Sequence, residues 1–187
     1  MSRRGSAVWV ASAVVLASPV ATAGPAPALP AAAEPSEPAT DAEIFGLLTT
    51  IHATLLVAAQ TGRASATDRR ALALAERVAG HARAGARRAA ALGRRAGLRA
   101  VHGDADAGLR FEVKRALDGL PARGRGFDRA WLGGQIEALM LAIAALNNAM
   151  RPHAQAQPLR DALTVVVEQA ADDLRQAQAL QTALADS

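Results

Sequence analysis

Cysteine is absent from all 187 residues. That excludes disulfides, thiolate metal sites, iron–sulfur clusters, thiol catalysis and a lipid-modified cysteine. Tyrosine is absent too, and aromatics are 3% of the chain. Few residues therefore favour a pleated sheet. Lysine occurs once, at Lys114. There is no Gly-x-Ser-x-Gly, no phosphate loop and no dinucleotide fingerprint. What is present is apolar and small: 51% of the residues are hydrophobic, mostly Ala with Leu and Val. Ala and Leu are the best helix formers. Composition alone implies an all-α protein, and the length suits one domain with a single core.

The N-terminus reads MSRRGSAVWVASAVVLASPVATAGP. Arg3 and Arg4 precede an apolar run from Ala7 to Ala17, and Ala21-Thr22-Ala23 is a small-x-small cleavage pattern. The run is short for a bilayer span. Residues 1–23 are therefore expected to be a secretory signal peptide. Residues 24–40 are Pro- and Ala-rich, with five Pro between 24 and 39, and read as a linker. Residues 41–187 are the expected helical domain. Without Arg3 and Arg4 the formal charge falls from +4 to +2, which offers no whole-protein argument for nucleic acid.

From Thr40 the pattern becomes helical. Thr40-Asp-Ala-Glu43 is a capping box, and Ile44, Leu47, Leu48, Ile51, Leu55, Ala58 and Ala59 share a face. This helix should end near Gly62. Ser65-Ala-Thr-Asp68 should open a second helix in the same way. Its stripe would be Leu72, Ala75, Val78, Ala79, Ala82, Ala86 and Ala89, and it should stop at Gly97. A shorter helix should span 104–119, with Leu109, Val113, Ala116 and Leu120 inward. Asp128 should cap the next, with Phe127 stapled to Leu132, and Pro152 should stop it. The last should begin near Pro158, with Leu159, Leu163, Val166, Ala170, Leu174, Ala177 and Leu184 inward. Four helices are long and one is short. The connection from Gly97 to Phe127 can cross a whole bundle. The expected architecture is a ferritin-like four-helix bundle with a short extra helix in the crossover between long helices 2 and 3.

The stretch EALMLAIAAL, 137–146, tests this reading. In a bundle that binds two metal ions, a ligating Glu has a His three residues on. Here Glu137 is followed at that spacing by Met140. The helix is broadly apolar, with Leu132, Ile136, Leu139, Met140, Ile143, Leu146 and Met150 on one side. Gln135, Glu137, Asn147 and Asn148 argue against lipid. A packed core helix is expected, and no transmembrane helix in the mature chain.

Two segments carry a family resemblance. RRALALAERVAGHARAGARRAAALGRRAGL, 69–98, has an Ala-rich turn, a His, and a basic run ending at Gly. GFDRAWLGGQIEAL, 126–139, starts a long helix with Phe-Asp-Arg-Ala-aromatic. Together they resemble the bacterial DUF4142 proteins, exported ferritin-like helical domains of unknown function, over residues 41–184. The resemblance implies the fold and export. His81 stands where the family often has a His, whereas Leu139 fills the place of a second one. A role for paired histidines is therefore not expected here.

No Glu is followed by a His at i+3, and His102 and His153 fall in expected loops. His52 and His81 could face each other across the first two helices, with Glu76 nearby, but each reads better as structural. The acid pairs Asp104/Asp106 and Asp172/Asp173 read as exposed. No catalytic residue, metal ligand or cofactor is expected, and the chain reads as a non-catalytic envelope protein. It would be periplasmic or outer-membrane associated, with a role in stress or envelope maintenance. A metal-dependent oxidase is the remote alternative. The closest functional clue is charge. Residues 63–99 hold ten Arg against Asp68 and Glu76, while 157–187 hold five acids and two Arg. These charges can complement each other within the bundle. Alternatively Arg83, Arg87 and Arg94, and beside them Arg77, Arg88 and Arg95, form an anion-binding surface for envelope components. Nucleic acid is a poor partner, because no stacking aromatics interleave the Arg.

Overall fold

The first helix starts where its capping box places it. In the computed structural model, which describes residues 39–185, the Thr40 hydroxyl accepts from the Glu43 amide at 3.3 Å. The Glu43 carboxylate accepts from the Thr40 amide at 2.9 Å. Helix α1 then runs Asp41–Ser65, α2 Arg69–Ala96, α3 Asp104–Asp118, α4 Arg125–Ala144 and α5 Gln157–Ala185. A π-helical turn, Ala145–Met150, continues α4. Among the described residues there is no strand, so the protein is all-α. The expected signal peptide, and the linker up to Pro38, lie outside the described residues.

Several element ends differ from the sequence reading, each for a local reason. Gly62 does not end α1, which continues a turn further. It faces Trp131, where an added Cβ would lie 2.3 Å from the indole Cε2. The glycine permits close approach rather than a stop. Ser65 does not open α2 either, because it is the last residue of α1. The cap is Asp68, whose carboxylate accepts from the amides of Arg70 at 2.7 Å and Ala71 at 3.3 Å. Gly97 does end α2, with φ of 66° in the left-handed region. The buried face of α2 is rotated from the expected stripe. Leu74, Gly85 and Leu92 are buried, while Leu72 is half-buried and Ala86 exposed. Gly85 rather than Ala86 meets α1, since a Cβ at Gly85 would lie 2.1 Å from His52 Cε1.

Asp128 is likewise not the N-cap of α4, which starts after Gly124. Its carboxylate instead accepts from the Thr67 amide (2.9 Å), the Thr67 hydroxyl (2.5 Å) and the Asp68 amide (2.9 Å). It thereby joins the first turn of α4 to the α1–α2 connection.

Hydrogen bonds set the sense of each helix. The Val101 amide donates to the Ala42 carbonyl at 3.0 Å, so α2 ends beside the start of α1. The α3 residue Asp106 accepts from Thr50, and Leu117 and Leu120 line the same recess as Ala58, so α3 runs along α1 in the same sense. Trp131 Nε1 donates to the Ala58 carbonyl at 2.9 Å. Met150 packs with Ile44 in one cluster. Helix α4 therefore runs opposite to α1. The Gln155 and Ala156 amides donate to Asp41 at 2.7 and 2.9 Å, which brings the start of α5 back beside that of α1. Helix α1 packs against α2, α3 and α4, and α5 packs against α2 and α4.

The interior has two parts. One gathers Ile44, Leu48, Ile51, Leu139, Leu146, Met150, Leu159 and Leu163. The other surrounds Trp131 with Phe127, Leu132, Leu74 and Val78. Phe127 lies inside the first turn of α4, so it is not the expected staple onto Leu132 from before the helix. By length and composition, α1 and the run Arg125–Met150 could each cross a bilayer, and 67% and 44% of their most apolar windows are buried inside the protein. Met140 departs from expectation. It is 53% exposed, as is Leu141 at 43%. The buried stripe of α4 passes through Leu132, Gln135, Leu139, Ala142 and Leu146. Met140 sits one residue, about 100°, beyond it.

The Gly62–Trp131 contact yields a prediction. Gly62→Ala should lower stability by roughly 1–3 kcal/mol through overpacking. Gly80→Ala, where nothing lies within 4 Å of the added Cβ, should be neutral or stabilise by up to about 1 kcal/mol. Urea unfolding followed by helix circular dichroism measures both.

Candidate functional site

The arginine surface of α2 divides in two. Arg77 Nη1 donates to Asp172 Oδ2 at 3.3 Å, and Arg88 Nη2 donates to Gln169 Oε1 at 2.8 Å. This edge faces α5 and meets its polar side chains. Arg83, Arg87, Arg94 and Arg95 make no ion pair among the described residues. Arg87, Arg94 and Arg95 are exposed, and Arg83 is half-buried. Arg94 and Arg95 also lie in the last turn, where cations oppose the helix dipole favourably.

The acid pairs are not simply exposed. Asp173 is buried, with its oxygens 2.9 and 3.1 Å from His81 Nδ1. Burial pushes its carboxyl above the usual value, against the lowering effect of His81. Asp106 is buried too. It accepts from the Thr50 hydroxyl at 2.5 Å and the Gly103 amide at 3.1 Å, and His102 Nδ1 lies 3.1 Å away. Burial alone would raise Asp106, but the hydrogen bonds from Thr50, His102 and Gly103 outweigh it and hold the carboxyl low. Arg110 donates to the Thr50 hydroxyl at 3.1 Å, which extends this chain of contacts.

His52 and His81 do not meet. His52 is buried against Gly85, whereas His81, one turn earlier on α2, turns to α5. Burial, helped by the Arg88 charge, depresses His52 to about 4. Among the described residues no group of three His, Asp or Glu side chains is close enough to hold a metal ion.

A further feature is a recess of about 290 Å³ between α3 and α4, lined by Ala58, Val113, Leu117, Trp131, Gln135 and Leu141. Gln135 is 1% exposed, and neither its Oε1 nor its Nε2 has a hydrogen-bond partner. The interior is therefore not purely aliphatic. Thr50, His52, Thr54, Asp106, Asp128, Gln135 and Asp173 are all buried. Sequence reasoning counted Gln135 only as evidence against lipid. The missed signal was its place on the stripe between Leu132 and Leu139.

A family profile matches residues 25–180, all but the last turn of α5 among the helices. The chain belongs to the DUF4142 family, a domain of unknown function. No curated protein and no solved structure matches it. In this DUF4142 chain Leu139 is completely buried in the aliphatic core. His81 is paired with Asp173.

The depressed His52 gives a signed pH dependence. The folded state resists protonating His52, while the unfolded chain takes the proton near pH 6.5. This residue's contribution is therefore complete above about pH 6.5 and is lost as pH falls towards about 4. The loss amounts to roughly 3 kcal/mol at most. Asp173 acts in the opposite sense, because its raised carboxyl favours the folded state as pH falls. The difference between the wild type and His52→Leu isolates the histidine. Denaturant titrations at pH 7.5 and 4.5 should show a steeper acid loss in the wild type.

Proposed function

We propose that this is an exported, non-catalytic protein of the bacterial cell envelope with a role in stress or envelope maintenance. Its long helices α1, α2, α4 and α5 form a ferritin-like four-helix bundle, with α3 in the crossover. The senses of the helices support that bundle: α1 and α5 run one way, α2 and α4 the other, and α3 returns the chain between them. On this reading α1 and α4 are core helices, not membrane spans.

One observation carries the non-catalytic reading. The partnered carboxylates between elements are engaged in joining helices, and Asp128 keeps that engagement even where it lines a recess with Asp68, Arg125 and Arg129. Asp41 receives the amides before α5, Asp106 ties α3 to α1, Asp128 ties α4 to the α1–α2 connection, and Asp173 ties α5 to α2. Acids arranged in this way have their lone pairs occupied by the fold. Export rests on Arg3, Arg4, the apolar run and Ala21-Thr22-Ala23. Expressed in a Gram-negative host, the protein should appear in the periplasmic fraction with Gly24 as its first residue and without stoichiometric iron, manganese or zinc. A cytoplasmic chain starting at Met1, or one equivalent of bound metal, contradicts the reading.

The second reading, an anion-binding surface, is favoured by Arg83, Arg87, Arg94 and Arg95, which make no ion pair among the described residues. Each Arg near an anionic surface contributes about 1 kcal/mol, and salt screens the attraction. The protein should co-sediment with phosphatidylglycerol vesicles, not with phosphatidylcholine, and less so as salt rises. Replacing Arg83, Arg87 and Arg94 by Gln should abolish the binding, whereas the same loss on replacing Arg77 and Arg88 would assign the effect to the wrong face.

A further inference from the structure

Gln135 poses a physical problem that the rest of the fold does not answer. A buried amide without partners destabilises a protein. The neighbouring positions on its stripe are Leu132, Ile136 and Leu139, all apolar and buried. An apolar side chain at 135 would continue that stripe. Gln135 instead lines the α3–α4 recess, with its amide closed off just behind the wall, and the other lining is largely Val113, Ala116, Leu117, Trp131, Ala138 and Leu141. The recess is near the lower end of the range for small-molecule pockets, about 300–1,000 Å³. At its rim Met140 and Leu141 are exposed. A flexible, polarizable Met suits a yielding mouth. The nearby Arg115 is engaged by Glu112 on the same helix at 2.6 Å, so the rim does not present a free cation for an ionised head.

We propose that the recess binds a small aliphatic molecule whose planar head carries a hydrogen-bond donor and an acceptor side by side. A primary amide or a protonated carboxylic acid has such a head. Gln135 offers the complement, because Oε1 accepts while the adjacent Nε2 donates. Both atoms are closed to solvent in the unliganded fold, so the side chain turns towards the recess as the ligand enters, and two parallel hydrogen bonds then satisfy both orphan groups. A trans secondary amide points its N–H and C=O in opposite directions and satisfies one. An ionised carboxylate has no proton for Oε1. The aliphatic tail lies along Val113, Leu117 and Leu141 and leaves past Met140. This inference does not depend on export or on the arginine surface.

The test uses the full chain carrying Trp9→Phe, so that Trp131, which lines the recess, is the sole tryptophan reporter. Octanamide should quench or shift its fluorescence saturably, with matching calorimetry. Octanoic acid should bind more tightly as pH falls and its head becomes neutral. Octanamide alone binding assigns the site to neutral amides, and both binding assigns it to the shared head. Methyl octanoate, an acceptor only, should bind at least about tenfold more weakly, the equivalent of one lost hydrogen bond. In Gln135→Met the melting temperature should stay equal or rise, while the preference for octanamide over the ester disappears. Ala116→Phe, which fills the recess but leaves Gln135 in place, should abolish binding of all three. The proposal is overturned by the absence of saturable octanamide binding, by undiminished preference in Gln135→Met, or by a lowered melting temperature or misfolding of that variant. The last result would mean that the amide has a structural role.

Discussion

Close approach between helices that lack bulky side chains is the constraint on which the rest of the structure depends. The chain has few aromatics with which to fill space, so the helices must come near enough for Ala, Leu and Val to touch. Two glycines on the α1–α2 hairpin mark seams where a helix backbone meets a ring. Gly62 lies under the Trp131 indole and Gly85 under the His52 ring, with no room for a Cβ at either. Each glycine admits a ring side chain from another helix. Trp131 then reaches the Ala58 carbonyl, and His52 is sealed in so thoroughly that it resists its proton. Packing sets the position of the polar groups here, and their electrostatics follow from it.

Once the helices are that close, their register needs another kind of specification, since Ala-rich surfaces slide past one another at little cost. The carboxylates supply it. Asp128 accepts three hydrogen bonds from Thr67 and Asp68, and Asp41 accepts two from the amides of Gln155 and Ala156. Asp106 and Asp173 do the same for α3 and α5. A directional bond distinguishes one register from its neighbours where apolar contact cannot. Gln135 is the exception that draws attention, as its amide is held in the same interior with nothing to accept from or donate to.

Much of this was legible from residues that act on their immediate neighbours. The Thr40 capping box and the Gly97 stop are short-range chemistry, and both appear as the sequence implies. The aliphatic stripe of α5, from Leu159 through Leu163 and Val166 to Leu184, also follows its periodicity. Residues with two possible employments were misread. Gly62 looks like a helix stop until Trp131 is seen above it. Asp128 looks like a cap for its own helix until Thr67 is seen beside it. Met140 belongs to an apolar run, yet only half of that run is covered. For the candidate site, the arginines were legible as a cluster, but which of them α5 engages was not. Gln135 was legible only as a polar residue in an apolar helix.

By itself, then, the sequence determined the all-α class, the number of long helices, the order of their connections and the membership of the DUF4142 family. These depend on propensity, capping and periodicity, which act within a few residues along the chain. The tertiary structure alone decided which face of α2 turns inward, which acids are buried, and where an unpaired amide meets a hollow. Those outcomes depend on contacts between residues tens of positions apart, where the fit of one side chain against another helix selects among employments that local sequence leaves equal.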